Sequence, residues 1–123
     1  MRGKIKVLLV EDEMVIAQDL RMLLESEGCK VIGIANNGIE ALRLARLHSP
    51  PIIFMDISIR GEWDGIQTAE VIQSAAKTNI VYLTCCQNPV TLSRAKATKP
   101  YKILAKYRRQ EVIETLEELK NPL

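Results

Sequence analysis

KVLLVEDE, residues 6–13, is an apolar run that stops abruptly at Glu11 and Asp12. A second run of the same kind, PPIIFMDIS at residues 50–58, closes on Asp56. Four to six aliphatic and β-branched residues closed by acids read as a buried parallel strand whose carboxyl end opens onto a crevice. Acids gathered at such an end point to a cation site.

Along the whole chain, strand-like runs fall at about residues 5–10, 30–35, 51–56, 79–84 and 101–105, with a helix-compatible segment in each gap. Ile16, Leu20, Leu23 and Leu24 keep helical spacing until Gly28, which suits a left-handed cap. The next helix starts at Asn37 or Gly38 and stops before Pro50 and Pro51, while Asp64 is placed to cap the third. NPVTLSRAKAT makes a weaker fourth helix, and Val112, Ile113, Leu116 and Leu119 mark an amphipathic fifth. Five strands alternating with five helices predict an α/β, doubly wound, five-stranded parallel sheet covered on both faces.

Composition supports one compact unit. The chain has 123 residues, 47% of them hydrophobic, and a formal charge of only +2, which gives no electrostatic signature of nucleic-acid binding. No apolar stretch approaches the roughly 20 residues needed to span a bilayer, and MRGKIKVLLVEDE runs into acids too soon for a signal peptide. Cys29, Cys85 and Cys86 form neither an even framework nor a metal-type pair, so a cytoplasmic protein without membrane attachment is expected. In a doubly wound sheet, ligands sit beyond the carboxyl ends of the strands at the switch in strand order. That brings together Glu11, Asp12, Asp56, Thr84 and a lysine near residue 106. Carboxylates so close raise one another's pKa unless a cation neutralises them, and a hard divalent ion such as Mg2+ fits that task.

With these pieces in place, the chain resembles the receiver domain of two-component response regulators. LLVEDE, FMDISIRGEWDGI, VYLT and RAKATKPYKILAKY carry the resemblance, in the family's order and over nearly the whole length. The resemblance implies that Asp56 is the phosphoacceptor, and that Glu11, Asp12, Asp56 and the backbone carbonyl of Ser58 bind Mg2+. It also implies that Thr84 and a lysine contact the phosphoryl group, and that the donor is a sensor histidine kinase or phosphotransfer protein. Such a domain has the flavodoxin-like, CheY-like strand order 2-1-3-4-5, and it is a signalling unit and not an enzyme, beyond assisting its own phosphorylation and dephosphorylation. The expectation is a single receiver domain over residues 1–123 with no effector domain, standing alone or excised from a longer chain.

The family's Lys-Pro pair has two competing matches. Lys99 precedes Pro100 but follows the polar stretch RAKAT, whereas Lys106 follows YKILA and lies 22 residues after Thr84, against 15 for Lys99. Strand geometry and family spacing both select Lys106. Departures cluster beyond the acids. Tyr107 replaces the usual proline, which disfavours a cis bond costing roughly 2.5–4 kcal/mol without proline. Ile103 stands where the family often has a rotating Tyr or Phe, and Cys85 takes a place usually held by a very small residue. Ser58 and Cys86 occupy the two places that tune acyl-phosphate hydrolysis, and neither orients water well, which implies slow to moderate dephosphorylation.

Other features read in more than one way. Cys85 and Cys86 are expected as small buried side chains, His48 as a surface residue at a helix end, and Trp63 as a loop anchor or a recognition residue. Between Val71 and Gln110 there is no acid, while Lys77, Arg94, Lys96, Lys99, Lys102, Lys106, Arg108 and Arg109 are basic. That strip, around residues 94–109, is either a solvated surface or a face for an acidic partner or a homodimer, with Glu114, Glu117 and Glu118 as its complement. A nucleotide enzyme or flavin protein would need a glycine-rich phosphate loop where LLVEDEMVI has none. An aspartyl phosphatase would want a second acid where Ser58 stands. The alternative function is a receiver-fold interaction module that no longer signals by phosphorylation, suggested by Cys85, Ile103 and Tyr107.

Overall fold

The computed structural model describes residues 3–85, 87–106 and 108–121, so Cys86 and Tyr107 lie outside the described residues. Strands and helices alternate as β1 (Ile5–Val10), α1 (Met14–Ser26), β2 (Cys29–Ala35), α2 (Gly38–His48), β3 (Ile52–Asp56), α3 (Gly65–Ala75), β4 (Asn79–Thr84), α4 (Pro89–Ala97), β5 (Lys102–Ala105) and α5 (Arg109–Lys120). All four strand pairings are parallel, in the order β2-β1-β3-β4-β5. The doubly wound fold is therefore as the sequence predicts. Boundaries move by one residue: β2 starts at Cys29, β3 at Ile52 after Pro51, and β5 at Lys102 after Tyr101.

The two-residue period of the strands divides the core in two. Leu8, Val10, Ile53, Met55, Ile80 and Tyr82 face α2, α3 and α4, where Ala41, Leu44, Ile66, Ile72 and Ala95 cover them. Val7, Leu9, Phe54, Val81 and Leu83 face the other way, onto Leu23 and Leu24 of α1 and Val112 and Leu116 of α5. Central strands β1, β3 and β4 are buried on both faces, which is why their sequences read as unbroken apolar runs.

Local signals fix the helix starts. Asn37 caps α2 through Glu40 N–H, Asn88 caps α4 ahead of Pro89, and Asp64 with Gln67 forms a full capping box on α3. Gly28 takes a φ of 85° just past α1, as its position predicts. The start of α1 is different. Glu13 N–H donates to Glu11 Oε2 at 3.1 Å, so the helix opens directly on the acid cluster. Among the described residues no helix is long and apolar enough to cross a membrane.

Candidate functional site

Four of the strands, β1, β3, β4 and β5, end by delivering polar groups to the same rim. Glu11 and Asp12 follow β1, Asp56 ends β3, Thr84 ends β4, and Lys106 follows β5. Donor oxygens of Glu11, Asp12 and Asp56 lie within 4.8 Å of one another, and Glu11 and Asp56 are each only 4% exposed. Three hard oxygen ligands at that spacing suit a hard divalent ion such as Mg2+, which needs only a few carboxylates and keeps several waters. Ser58, in the turn after β3, donates its N–H to Asp56 Oδ1 at 3.0 Å.

Lys106 locks this arrangement. Its Nζ lies 3.0 Å from Glu11 Oε1 and 3.1 Å from Asp56 Oδ2, with the lysine side chain only 8% exposed. Its own N–H donates to the Thr84 carbonyl at 3.2 Å, which fixes the end of β5 beside the end of β4. Burial works against the ammonium, yet hydrogen bonds to Glu11 and Asp56 prevail and hold Lys106 above the ordinary lysine range. Burial raises the Glu11 carboxyl; Glu13 N–H and Lys106 oppose it without cancelling it, and the Asp56 charge adds to the rise. Lys99 sits elsewhere. It is exposed, with a φ of 54° just past α4, and its N–H donates to Lys96 O at 3.0 Å.

Close backbone approach makes the pocket possible. A Cβ on Gly65 would strike the Asp56 carbonyl oxygen and crowd Ile57, so only glycine lets α3 start here, with Gly65 N–H donating to Ile57 O at 2.8 Å. Trp63 is half-buried and packs over Gly38 at the start of α2, making it a loop anchor. His48, half-buried, ends α2.

One expectation needs correcting. Cys85 is exposed and not buried, because β4 stops at Thr84 and the chain turns outward to the rim at the next residue. Cations of the basic strip also form ion pairs within the chain. Lys102 reaches Glu118 at 2.8 Å, Arg94 reaches Asp64 at 3.2 Å, and Arg109 lies 3.6 Å from Asp19. Glu118, read as an intermolecular complement, is thus engaged by its own β5 neighbour. Ile103 occupies the rotor position half-buried, opposite Tyr82 in the β4–β5 register and packed on the same core.

One residue of this site escaped the sequence. Arg60, in the loop after β3, donates its backbone N–H to Asp12 Oδ2 at 3.1 Å and places its Nε 3.3 Å from the same oxygen. Its signal in the sequence is slight: a lone basic residue four positions after Asp56.

Residues 7–117 match the response regulator receiver domain family. Transcriptional regulatory protein PdtaR of Mycobacterium tuberculosis is 38% identical over 91 residues, covering 74% of this chain and 44% of that protein. A putative transcriptional regulator of Pseudomonas aeruginosa is 37% identical over 84 residues, covering 68% of this chain and 40% of its own length. This chain therefore spans less than half the length of these relatives. Among solved structures, the signal receiver domain of a modulated diguanylate cyclase from Desulfovibrio desulfuricans G20 superposes with a TM-score of 0.86 at 36% identity, covering 91% of this chain and 90% of that one.

Proposed function

The chain belongs to the response regulator receiver domain family of two-component signalling, and on that premise we propose that Asp56 accepts a phosphoryl group and that signalling proceeds through phosphorylation-dependent protein interaction. The observation that carries this reading is the placement of a buried Asp56 carboxylate against Lys106, with Glu11 and Asp12 close by. A nucleophile needs an exposed path for its partner, and Asp56 ends its strand at the crevice rim.

The donor is a phosphohistidine on a sensor histidine kinase or phosphotransfer protein. An Asp56 carboxylate oxygen attacks phosphorus in line; the new O–P bond forms as the P–N bond breaks, and the imidazole leaves and takes up a proton. Lys106, already bonded to Asp56, neutralises charge on the phosphoryl oxygens, and the Thr84 hydroxyl donates to one of them. Receiver domains bind Mg2+ at an acidic pocket; here Glu11, Asp12, Asp56 and the Ser58 carbonyl would hold it, and when bound it supplies further neutralisation of phosphoryl charge. Glu11, through Lys106, positions the ammonium.

Ile103 favours a second reading. With an aliphatic residue packed where an aromatic rotor would turn, the domain would act as an interaction module without phosphorylation switching. Acetyl phosphate with Mg2+, followed by intact mass, separates the two. A single phosphate adduct, lost in Asp56→Asn and on chelation, is the expected result; no adduct under any condition favours the module.

A further inference from the structure

We propose that Arg60 is a tethered counter-cation of the metal site, which neutralises Asp12 while no divalent ion is bound and competes with that ion for it. The proposal rests on the reading of Glu11, Asp12 and Asp56 as a cation site and adds to it a residue that sets the ion concentration at which the site loads.

Charge and burial together carry the inference. Glu11, Asp12 and Asp56 bring three carboxylates into one cluster, and the described residues supply two cations to it, Lys106 and Arg60. With both in place the cluster retains one net negative charge; a divalent ion added to it would leave one net positive charge. Relief requires one tethered cation to withdraw. Lys106 cannot do so cheaply, since its side chain is 8% exposed and bonded to two carboxylates. Arg60 can. Its side chain is 86% exposed and holds Asp12 through one contact of 3.3 Å from Nε, so the guanidinium can move into water with its hydration intact. The backbone N–H of Arg60 is a separate matter. It stays bonded to Asp12 Oδ2 whatever side chain residue 60 carries, and keeps the carboxylate aimed. Side-chain replacement therefore removes the competitor and leaves the ligand's orientation in place.

Binding of Mn2+, an oxygen-preferring ion that can stand in for Mg2+, is read directly from the electron paramagnetic resonance signal of the free ion, on the whole chain without any phosphodonor. Arg60→Ala is expected to bind about two- to five-fold more tightly than wild type at low salt, the range an exposed ion pair supports. Arg60→Lys is expected to stay close to wild type, and Arg60→Glu to bind more tightly than Arg60→Ala. The gain in Arg60→Ala should shrink at about 1 M salt, where charges are screened beyond about 3 Å. Unchanged or weaker binding in Arg60→Ala, or an Arg60→Lys variant that behaves like Arg60→Ala, overturns the role of the Arg60 charge. Asp12→Asn provides the separate control. If it weakens Mn2+ binding while Arg60→Ala does nothing, the cation site stands and the Arg60 inference fails; if wild type binds no Mn2+, or Asp12→Asn binds as well as wild type, the cation-site reading fails and takes the inference with it.

Discussion

Lys106 Nζ and Asp56 Oδ2 stand 3.1 Å apart in a pair whose side chains are 8% and 4% exposed. Breaking a buried pair by removing one partner strands the other charge, at a cost of roughly 3–5 kcal/mol. Lys106→Met is therefore expected to lose about 3 kcal/mol in urea unfolding without divalent ions. With Mg2+ present the loss should be smaller, because the ion takes over neutralisation of the same carboxylates.

Asp56 is expected to act in the opposite direction. It lies buried beside Glu11 and Asp12, and its charge helps to raise Glu11. Asp56→Asn keeps an oxygen for Ser58 N–H, removes a desolvated charge and relieves two repulsions, at the expense of setting its amide nitrogen beside Lys106 Nζ, while Lys106 retains Glu11. A gain of about 1 kcal/mol in ion-free unfolding is expected, as for function-bearing charges that cost stability. A loss of stability would show that the Lys106 attraction outweighs the repulsion.

Alkaline pH should expose the Lys106 contribution. Its folded pKa is raised, so the native state holds the proton more tightly than the unfolded chain. That contribution is complete below the unfolded value of about 10.4 and fades as pH rises beyond it. Tyr82, raised mainly by burial, loses stability in the same direction. Unfolding free energies of wild type and Lys106→Met should run parallel up to about pH 10 and diverge above it, falling more steeply for wild type.

Tyr82 offers a test of how the sheet holds α4. Its hydroxyl lies 2.8 Å from Thr98 Oγ1, which donates in turn to Ala95 O at 2.7 Å, while Gln73 donates to Thr98 O at 3.0 Å. With Thr98 Oγ1 committed to Ala95 as a donor, Tyr82 is the donor between them. Tyr82→Phe should cost about 1 kcal/mol, and amide exchange at the end of α4 should quicken.

Legibility followed burial. β1, β3 and β4 were plain because a strand buried on both faces must be apolar throughout, and Asn37 and Asp64 announced helices because caps need particular side chains. Lys106 was separable from Lys99 because only one follows an apolar strand. What escaped depends on contacts between distant residues. Arg60 meets Asp12 across 48 positions with no periodic pattern to mark it, and Lys102 meets Glu118 through packing of α5 beside β5. Cys85 departs from its expected burial because one residue past a strand end changes a buried position to an exposed one.

Site mapping of the acyl phosphate decides whether Asp56 is the acceptor. After reaction with Mg2+ and acetyl phosphate, borohydride reduces an aspartyl phosphate to homoserine and releases phosphate, so peptide mass spectrometry identifies the acceptor. Homoserine at position 56 and nowhere else is the predicted result. Homoserine at another position, or none despite a phosphate adduct on the intact chain, would contradict the assignment of Asp56.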